Sequence, residues 1–284
     1  MLANPSPATR LNNSLLELTL PADYEALASG FTLTRRDQVR LVRGLTGMLQ
    51  NAEGKMLLVR MVVNLPDHRP ETRPGLPANN VRPANLFGVE VAGGSLYVVD
   101  ASFNQVYKVN PETGEYSTFT VFPPKPNPLP VGPPVVEAVP DSIRLFGGQL
   151  LVTSLTGFPF PQNFAEVRKV DLVTGAHHSF ITGLTAAIDV LPVPVARGNN
   201  SFYVLEYSAN FLAQPQAPGR LKLFYPRGTG LPPEGGSSGL DSFTLLSNLI
   251  SPTSIARDAD TGDLFITEIF TGRIIRYDLS EEVQ

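Results

Sequence analysis

Apolar side chains in this chain come in short runs, rich in Val, Ile, Leu, Phe and Tyr, that stop at an acid or a small hydroxyl. Four runs share one shape: Ser95-Leu96-Tyr97-Val98-Val99-Asp100, Gln149-Leu150-Leu151-Val152-Thr153-Ser154, Ser201-Phe202-Tyr203-Val204-Leu205-Glu206 and Asp263-Leu264-Phe265-Ile266-Thr267-Glu268. Runs this short, enriched in β-branched and aromatic residues, predict strands rather than helices. Their last residues lie 54, 52 and 62 positions apart, which is the period of a propeller blade and not of a helical solenoid.

Around these anchors the pattern fills out into four-stranded antiparallel units. The first is predicted over Leu86–Val91, Leu96–Val99, Gln105–Val109 and Tyr116–Phe122, the second over Ser142–Phe146, Leu150–Thr153, Glu166–Val170 and His178–Thr182. Both turn between their third and fourth strands through Asn/Asp-x-x-Thr-Gly, at Asn110–Gly114 and Asp171–Gly175, where the side-chain oxygen and the glycine each favour a tight reversal. The third unit is stretched by insertions between Ala187–Leu191, Phe202–Leu205, Arg220–Phe224 and Phe243–Leu246. The fourth, Thr253–Arg257, Leu264–Thr267 and Arg273–Tyr277, stops one strand short. Gln38–Arg43 or Leu15–Leu20 is the expected closing strand, because an open blade edge is a liability that propellers cover. Lys55–Arg60 makes a fifth copy, ending in a base, and residues 1–45 read as a degraded blade. Five prolines between Pro66 and Pro83 leave only loop there. The expected organisation is one all-β propeller domain over 1–284, rearranged in 1–82 and regular in 83–284.

In an antiparallel blade the first strand starts where the second finishes. Asn85, Asp141 and Thr253 should therefore share a rim with Asp100, Ser154, Glu206 and Glu268. The long loops 122–140, 155–165 and 207–219 lie on that rim, and such loops tend to carry function. With Phe158, Phe160 and Tyr207 from the rim loops, where the aromatic Phe211 also lies, these residues form the expected ligand-binding set. Two readings of the carboxylates stand: convergence at the channel mouth around a calcium-like ion or as an acid/base pair, or capping of each blade's own loop by accepting backbone N–H groups. Ser154 in the second copy favours capping. The aromatics equally allow a ligand surface or packing of loops onto the body.

Other candidate motifs carry blander readings. Asp258–Asp263 looks like an acidic calcium loop, but Ile269 stands where an EF-hand needs its bidentate glutamate, so a hairpin turn is expected. Gly235-Gly236-Ser237-Ser238-Gly239 matches the nucleophile-elbow pattern yet follows Pro232-Pro233-Glu234 instead of a strand, and reads as a flexible loop. The histidines are His68, His177 and His178. Neighbouring His177 and His178 would point to opposite faces of a strand, which argues against a joint metal site, a zinc enzyme or a histidine-based hydrolase.

Composition narrows the partners. Proline accounts for 27 of 284 residues, about twice its usual ~5% share, and works against long helices. The net charge is −4 with no lysine-arginine cluster, which leaves no source for nucleic-acid binding. The absence of cysteine removes disulfides, thiolate nucleophiles and cysteine metal sites. No run approaches the ~18 apolar residues of a membrane span, and Met1–Thr19 lacks the basic-then-apolar order of a signal peptide, so none is expected in the chain as written.

The run Val121-Phe122-Pro123-Pro124-Lys125-Pro126-Asn127-Pro128, with Pro133-Pro134, Ala138-Val139-Pro140 and Leu155-Thr156-Gly157-Phe158-Pro159-Phe160-Pro161, resembles the ScyD/ScyE family, named for proteins of scytonemin biosynthesis. Val204-Leu205-Glu206-Tyr207 and Pro218-Gly219-Arg220-Leu221 resemble the family's next blade, so the likeness covers residues 83 to 278. It implies an NHL-like propeller of six blades, often exported or periplasmic, and supplies no catalytic residues to carry over. Before residue 80 the chain departs from that pattern. The combined expectation is a binding or scaffold propeller, without a cofactor, whose long-loop rim holds a small apolar or aromatic molecule or a protein partner. The alternative is a metal-dependent hydrolase or lactonase in which the carboxylates hold calcium; Arg60 in the fifth copy would repel that ion.

Overall fold

A computed structural model describes residues 11–71, 79–194, 200–227, 235–237 and 239–279. The chain forms two compact units, one made of residues 1–85 and 109–117, the other of 86–108 and 118–284.

The first unit contains β1 (Ser14–Thr19), α1 (Arg35–Val42), β2 (Gly47–Gln50), β3 (Met56–Asn64), β4 (His68–Pro70) and β5 (Val81–Pro83). β1, β3 and β2 form an antiparallel sheet in that order, over a core of Leu41, Leu49, Leu57 and Val59. Three expectations are corrected here. Gln38–Arg43 lies largely in α1, not in a strand. Thr34 and Asp37 cap the helix reciprocally: Asp37 N–H donates to Thr34 Oγ1 at 3.3 Å, and Thr34 N–H to Asp37 Oδ2 at 3.0 Å. Leu15–Leu20 falls on β1, which is paired with β3 from Ser14↔Asn64 to Thr19↔Leu58 and so is not the closing strand of the fourth blade. The proline-rich segment holds a short ladder, β4 against β5, whose prolines fall at strand ends, where a missing N–H costs least; Pro74 and Pro77 lie outside the described residues. The fifth copy, Lys55–Arg60, lies in β3 but for Lys55, and Arg60 donates to Glu17 at 2.7 Å and to the Pro111 carbonyl at 3.1 Å.

The second unit holds the regular blades. β6 (Leu86–Ala92), β7 (Ser95–Asp100), β8 (Gln105–Val109) and β9 (Tyr116–Val121) make the first sheet, in that order. A two-residue pairing of β10 (Lys125–Pro126) with β11 (Val135–Val136) follows. β12 (Pro140–Phe146), β13 (Gln149–Ser154), β14 (Ala165–Asp171) and β15 (His177–Leu184) make the second sheet. β16 (Ala187–Pro194), β17 (Asn200–Glu206), β18 (Gly219–Pro226), β19 (Gly235–Ser237) and β20 (Leu240–Leu249) make the third, with β19 outermost. β21 (Pro252–Arg257), β22 (Leu264–Glu268) and β23 (Arg273–Tyr277) make the fourth. The first strand of each sheet packs beside the first strand of the next: β6 by β12, β12 by β16, β16 by β21. Up-and-down sheets radiating from adjacent first strands are the propeller class. Five sheets of three or more strands are present among the described residues.

The unbroken apolar runs of the second and third blades follow from burial on both faces. Leu150 and Leu151 are both fully buried; Leu150 belongs to the core between the first and second blades and Leu151 to the core between the second and third. Val204 shares with Leu151 the core between the second and third blades, and Leu205 belongs to the core between the third and fourth. Side chains alternate along a strand, so a blade sandwiched between neighbours needs apolar residues at every position. Each such side chain contributes about 1.5–3 kcal/mol by leaving water.

All four blades share a further irregularity. Leu86↔Asp100, Pro140↔Ser154, Ala187↔Glu206 and Pro252↔Glu268 are the opening pairs, and in each blade the register shifts immediately afterwards. The extra residue bulges the inner strand next to the rim. At the turns, Asn110 accepts from Glu112 N–H at 2.9 Å, Asp171 from Thr174 N–H at 2.8 Å and Asp258 from Thr261 N–H at 2.8 Å. Asp258–Gly262 is thus the same turn placed after a first strand, a hairpin as expected. Gly235–Ser237, read above as flexible loop, is strand β19; Ser237 Oγ accepts from Thr182 N–H at 2.9 Å, while Ser238 lies outside the described residues.

Candidate functional site

The opening pairs place Asp100, Ser154, Glu206 and Glu268 on one rim, at equivalent positions. Their chemistry is spent locally. Glu206 is fully buried, accepts Thr185 N–H at 2.6 Å through Oε1 and pairs with Arg220 through Oε2. Glu268 accepts Ile250 N–H at 2.5 Å and Thr271 Oγ1–H at 2.8 Å. In both blades the carboxylate ties the segment entering the inner strand to the end of the second strand. Asp100 accepts Phe103 N–H at 3.0 Å, and Ser154 is buried opposite Pro140. Asp141 is buried, and among the described residues its Oδ2 accepts no hydrogen bond; burial pushes its carboxyl pKa well up, which favours the neutral acid. Among the described residues no three or more His, Asp or Glu side chains are grouped to hold a metal. The convergence required by the metal reading is therefore missing there. Asn85 is an exposed residue of the first unit, ahead of β6.

The loop aromatics do converge. Phe160 stacks on Phe211 with centroids 4.1 Å apart and planes inclined by 23°, and Tyr207 stacks on the same Phe211 at 5.6 Å and 19°. Phe158 meets Phe160 edge-on at 6.2 Å and leaves 52% of its surface exposed. Below Phe158 lies the tip between β10 and β11, which Asn127 organises by donating to the carbonyls of Val131 at 2.8 Å and Pro133 at 2.7 Å. Gly132 at this tip has φ +88°, and a Cβ there would stand 2.9 Å from the Phe158 ring, so only glycine lets the two segments approach. Leu129, Val131, Val135 and Leu212 are also exposed in these loops. Asn104 anchors the rim from below: its Oδ1 accepts Val139 N–H at 2.8 Å and its amide donates to Glu137.

The inner strands also line an open pocket of about 380 Å³, with Phe87, Glu90, Arg144, Asp189, Thr253 and Ser254 among its walls. Thr253 was an expected site residue; Glu90, Arg144 and Asp189 were not. Asp189 is buried and saturated. Its Oδ2 accepts Arg144 Nη2 at 2.7 Å, Ser254 Oγ at 3.2 Å and Ile255 N–H at 3.0 Å, and its Oδ1 accepts Arg144 Nε at 3.3 Å and Val190 N–H at 2.8 Å. These bonds cross from the second blade to the third and fourth. Burial works against the charge on Arg144, but Asp189 and then Glu90 outweigh it and raise the guanidinium pKa. The signal for these residues is legible in the sequence: Glu90 and Asp189 are lone charges inside otherwise apolar first strands, and Arg144 follows an apolar residue in a strand that opens with Asp141 and Ser142.

A second charged cluster surrounds Glu166, also unanticipated. Its carboxylate accepts Lys125 Nζ at 2.6 Å, Arg168 Nε at 2.7 Å and Ser179 Oγ at 2.6 Å, and these partners hold its pKa low against the opposing effect of burial. Arg168 Nη1 approaches His177 Nδ1 at 2.6 Å while His177 Nε2 lies 3.1 Å from the Val121 carbonyl. An arginine can only donate, so His177 is the neutral Nε2–H tautomer, and burial lowers its pKa. His178, on the opposite side of β15, is exposed, as expected for adjacent strand residues.

No protein-family model and no curated protein matches the sequence. Among solved structures, the chain is similar to hydrazine synthase of Kuenenia stuttgartiensis at 12% identity and a TM-score of 0.48, over 83% of this chain and 59% of that one. It is similar to a nidogen/laminin complex at 14% identity and a TM-score of 0.47, over 82% of this chain and 71% of that one. An auxiliary nutrient binding protein of Bacteroides thetaiotaomicron follows at 14% identity and 0.42, over 82% and 64%. The chain thus spans 59% to 71% of the length of these chains. The propeller assignment rests on strand order and inner-strand adjacency, and what those proteins bind is a property of theirs alone.

Proposed function

We propose that the chain is a non-catalytic binding propeller of the ScyD/ScyE type, whose long-loop rim holds a small apolar or aromatic molecule or an apolar segment of a protein partner. The observation that carries this reading is the aromatic ladder Tyr207–Phe211–Phe160–Phe158, which ends in a half-exposed ring. Three rings braced against one another offer a stiff platform, and a flat ligand stacking on the fourth loses little side-chain entropy. The strand-end carboxylates support the non-catalytic part, since Glu206 and Glu268 are engaged in holding their own blades. An NHL-like ring of six blades and an exported or periplasmic setting belong to the same proposal and rest on the family resemblance.

Fluorescence titration with anilinonaphthalene sulfonate, an aromatic reporter, tests the rim. The wild-type protein is expected to bind the dye, and Phe158→Ala to weaken that binding by roughly tenfold, about 1.4 kcal/mol. Identical titration curves for the two proteins would overturn the reading.

A further inference from the structure

The inner-strand pocket mixes charged and apolar lining and shares no residue with the aromatic ladder of the rim. We propose that it binds a small neutral polyhydroxylated ring, the saccharide class, with Phe87 as the platform and Glu90 and Arg144 as the recognising pair. Its volume, about 380 Å³, falls in the range of small-molecule sites, roughly 300–1,000 Å³. Phe87 lines it with 47% of its surface exposed, an apolar face next to charges. Such a ring presents electron density to the polarised C–H groups on one face of a sugar while the sugar's hydroxyls point elsewhere.

Charge accounting selects the ligand. Arg144 uses Nε and Nη2 on Asp189 and Nη2 also on the Ile255 carbonyl at 2.9 Å, and among the described residues no hydrogen bond uses its Nη1. Glu90 accepts one backbone N–H on each oxygen, Val91 at 3.0 Å and Leu145 at 3.0 Å. Each carboxylate oxygen has a second acceptor site left. One lining group is therefore ready to donate and its neighbour ready to accept. An anion would meet a lining with two carboxylates against one guanidinium. A cation would find Asp189 already saturated and, at Glu90, would leave the Arg144 Nη1 donor beside it without an acceptor. A vicinal diol satisfies both groups at once, receiving from Arg144 and donating to Glu90, with no net charge to desolvate.

The ring could come as a free monosaccharide or as the end of a longer glycan, and saturation-transfer difference NMR with free hexoses and with neutral trisaccharides separates the two. Acetate and choline serve as charged probes. Saturation transfer to a neutral saccharide, weakened at least about tenfold in both Phe87→Ala and Glu90→Gln, is the expected result. Stronger transfer to the trisaccharide's terminal ring than to the hexoses would assign the glycan source, and the reverse the free sugar. Both side chains are partly exposed and the variants should keep the wild-type circular dichroism; Phe158→Ala should bind saccharide as the wild type does, which separates this site from the rim. No saccharide binding, binding unchanged in both variants, or binding of acetate or choline in its place would overturn the proposal.

Discussion

The rim and the inner strands of the second unit use charge in opposite ways. At the rim, acids recur at one position, and Glu206 and Glu268 each spend both oxygens inside their own blade. Along the inner strands no charge of one sign recurs: Glu90 and Arg144 hold the same register position in the first and second blades with opposite charge, Asp189 stands elsewhere in the third, and their contacts cross between blades. Repetition here marks what every blade needs to hold together. Singularity marks what neighbouring blades do together that no blade can do alone.

The sharpest way to break that contrast is Glu206→Ala. It leaves Arg220 and Thr185 N–H without their acceptor in a buried setting and should cost about 3 kcal/mol or more, read as a lowered urea midpoint. A loss below about 1 kcal/mol would mean that the rim acids are not structural. Gly219→Ala comes next. A Cβ there would stand 2.5 Å from Pro252 Cδ and 2.6 Å from the Glu206 carbonyl oxygen, so the third and fourth blades must shift apart. About 1–3 kcal/mol of destabilisation is expected in the same measurement, and a neutral result would show that the junction has slack.

His177 gives the smallest effect and refines the rule, since it is singular yet structural. Its folded pKa is lowered below the ordinary 6.5, first by burial, so the unfolded chain takes up a proton at higher pH than the folded one. Its contribution is then present above pH 6.5 and lost as pH falls through the lower folded value. Protonation would also turn Nδ1 from acceptor to donor against Arg168. The melting temperature of the wild type should therefore fall on acidification more than that of His177→Gln. Parallel curves would remove His177 from the account.

Much of the blade plan was readable because it obeys local chemistry. The strands around Leu96–Val99 and Leu150–Thr153 came from apolar runs buried on two faces, and the turns from Asn110, Asp171 and Asp258. Gln38–Arg43 imitates a closing strand because its polar and apolar residues alternate, while the signal that prevails, Thr34 and Asp37 spaced as a capping box, lies just before it. The aromatic ladder was half readable: the four rings were named, but stacking across loops some 50 residues apart, as between Phe160 and Phe211, is set only by the fold. Glu90, Arg144 and Asp189 are not legible as a group along the chain, because each looks like a stray charge until three blades are laid side by side.

The bulge shared by all four blades has an evolutionary consequence. It offsets the mouth of each inner strand from the ladder that follows, and the cavity positions next to it hold glycine, serine and aspartate at Gly88, Ser142, Ser254 and Asp189. A lineage descended from one duplicated blade cannot vary these positions freely, because a Cβ on Gly88 would stand 2.8 Å from the Asp141 carbonyl oxygen and Asp189 with Ser254 joins neighbouring blades; drift toward new ligands is left to the exposed lining at Phe87 and Val89.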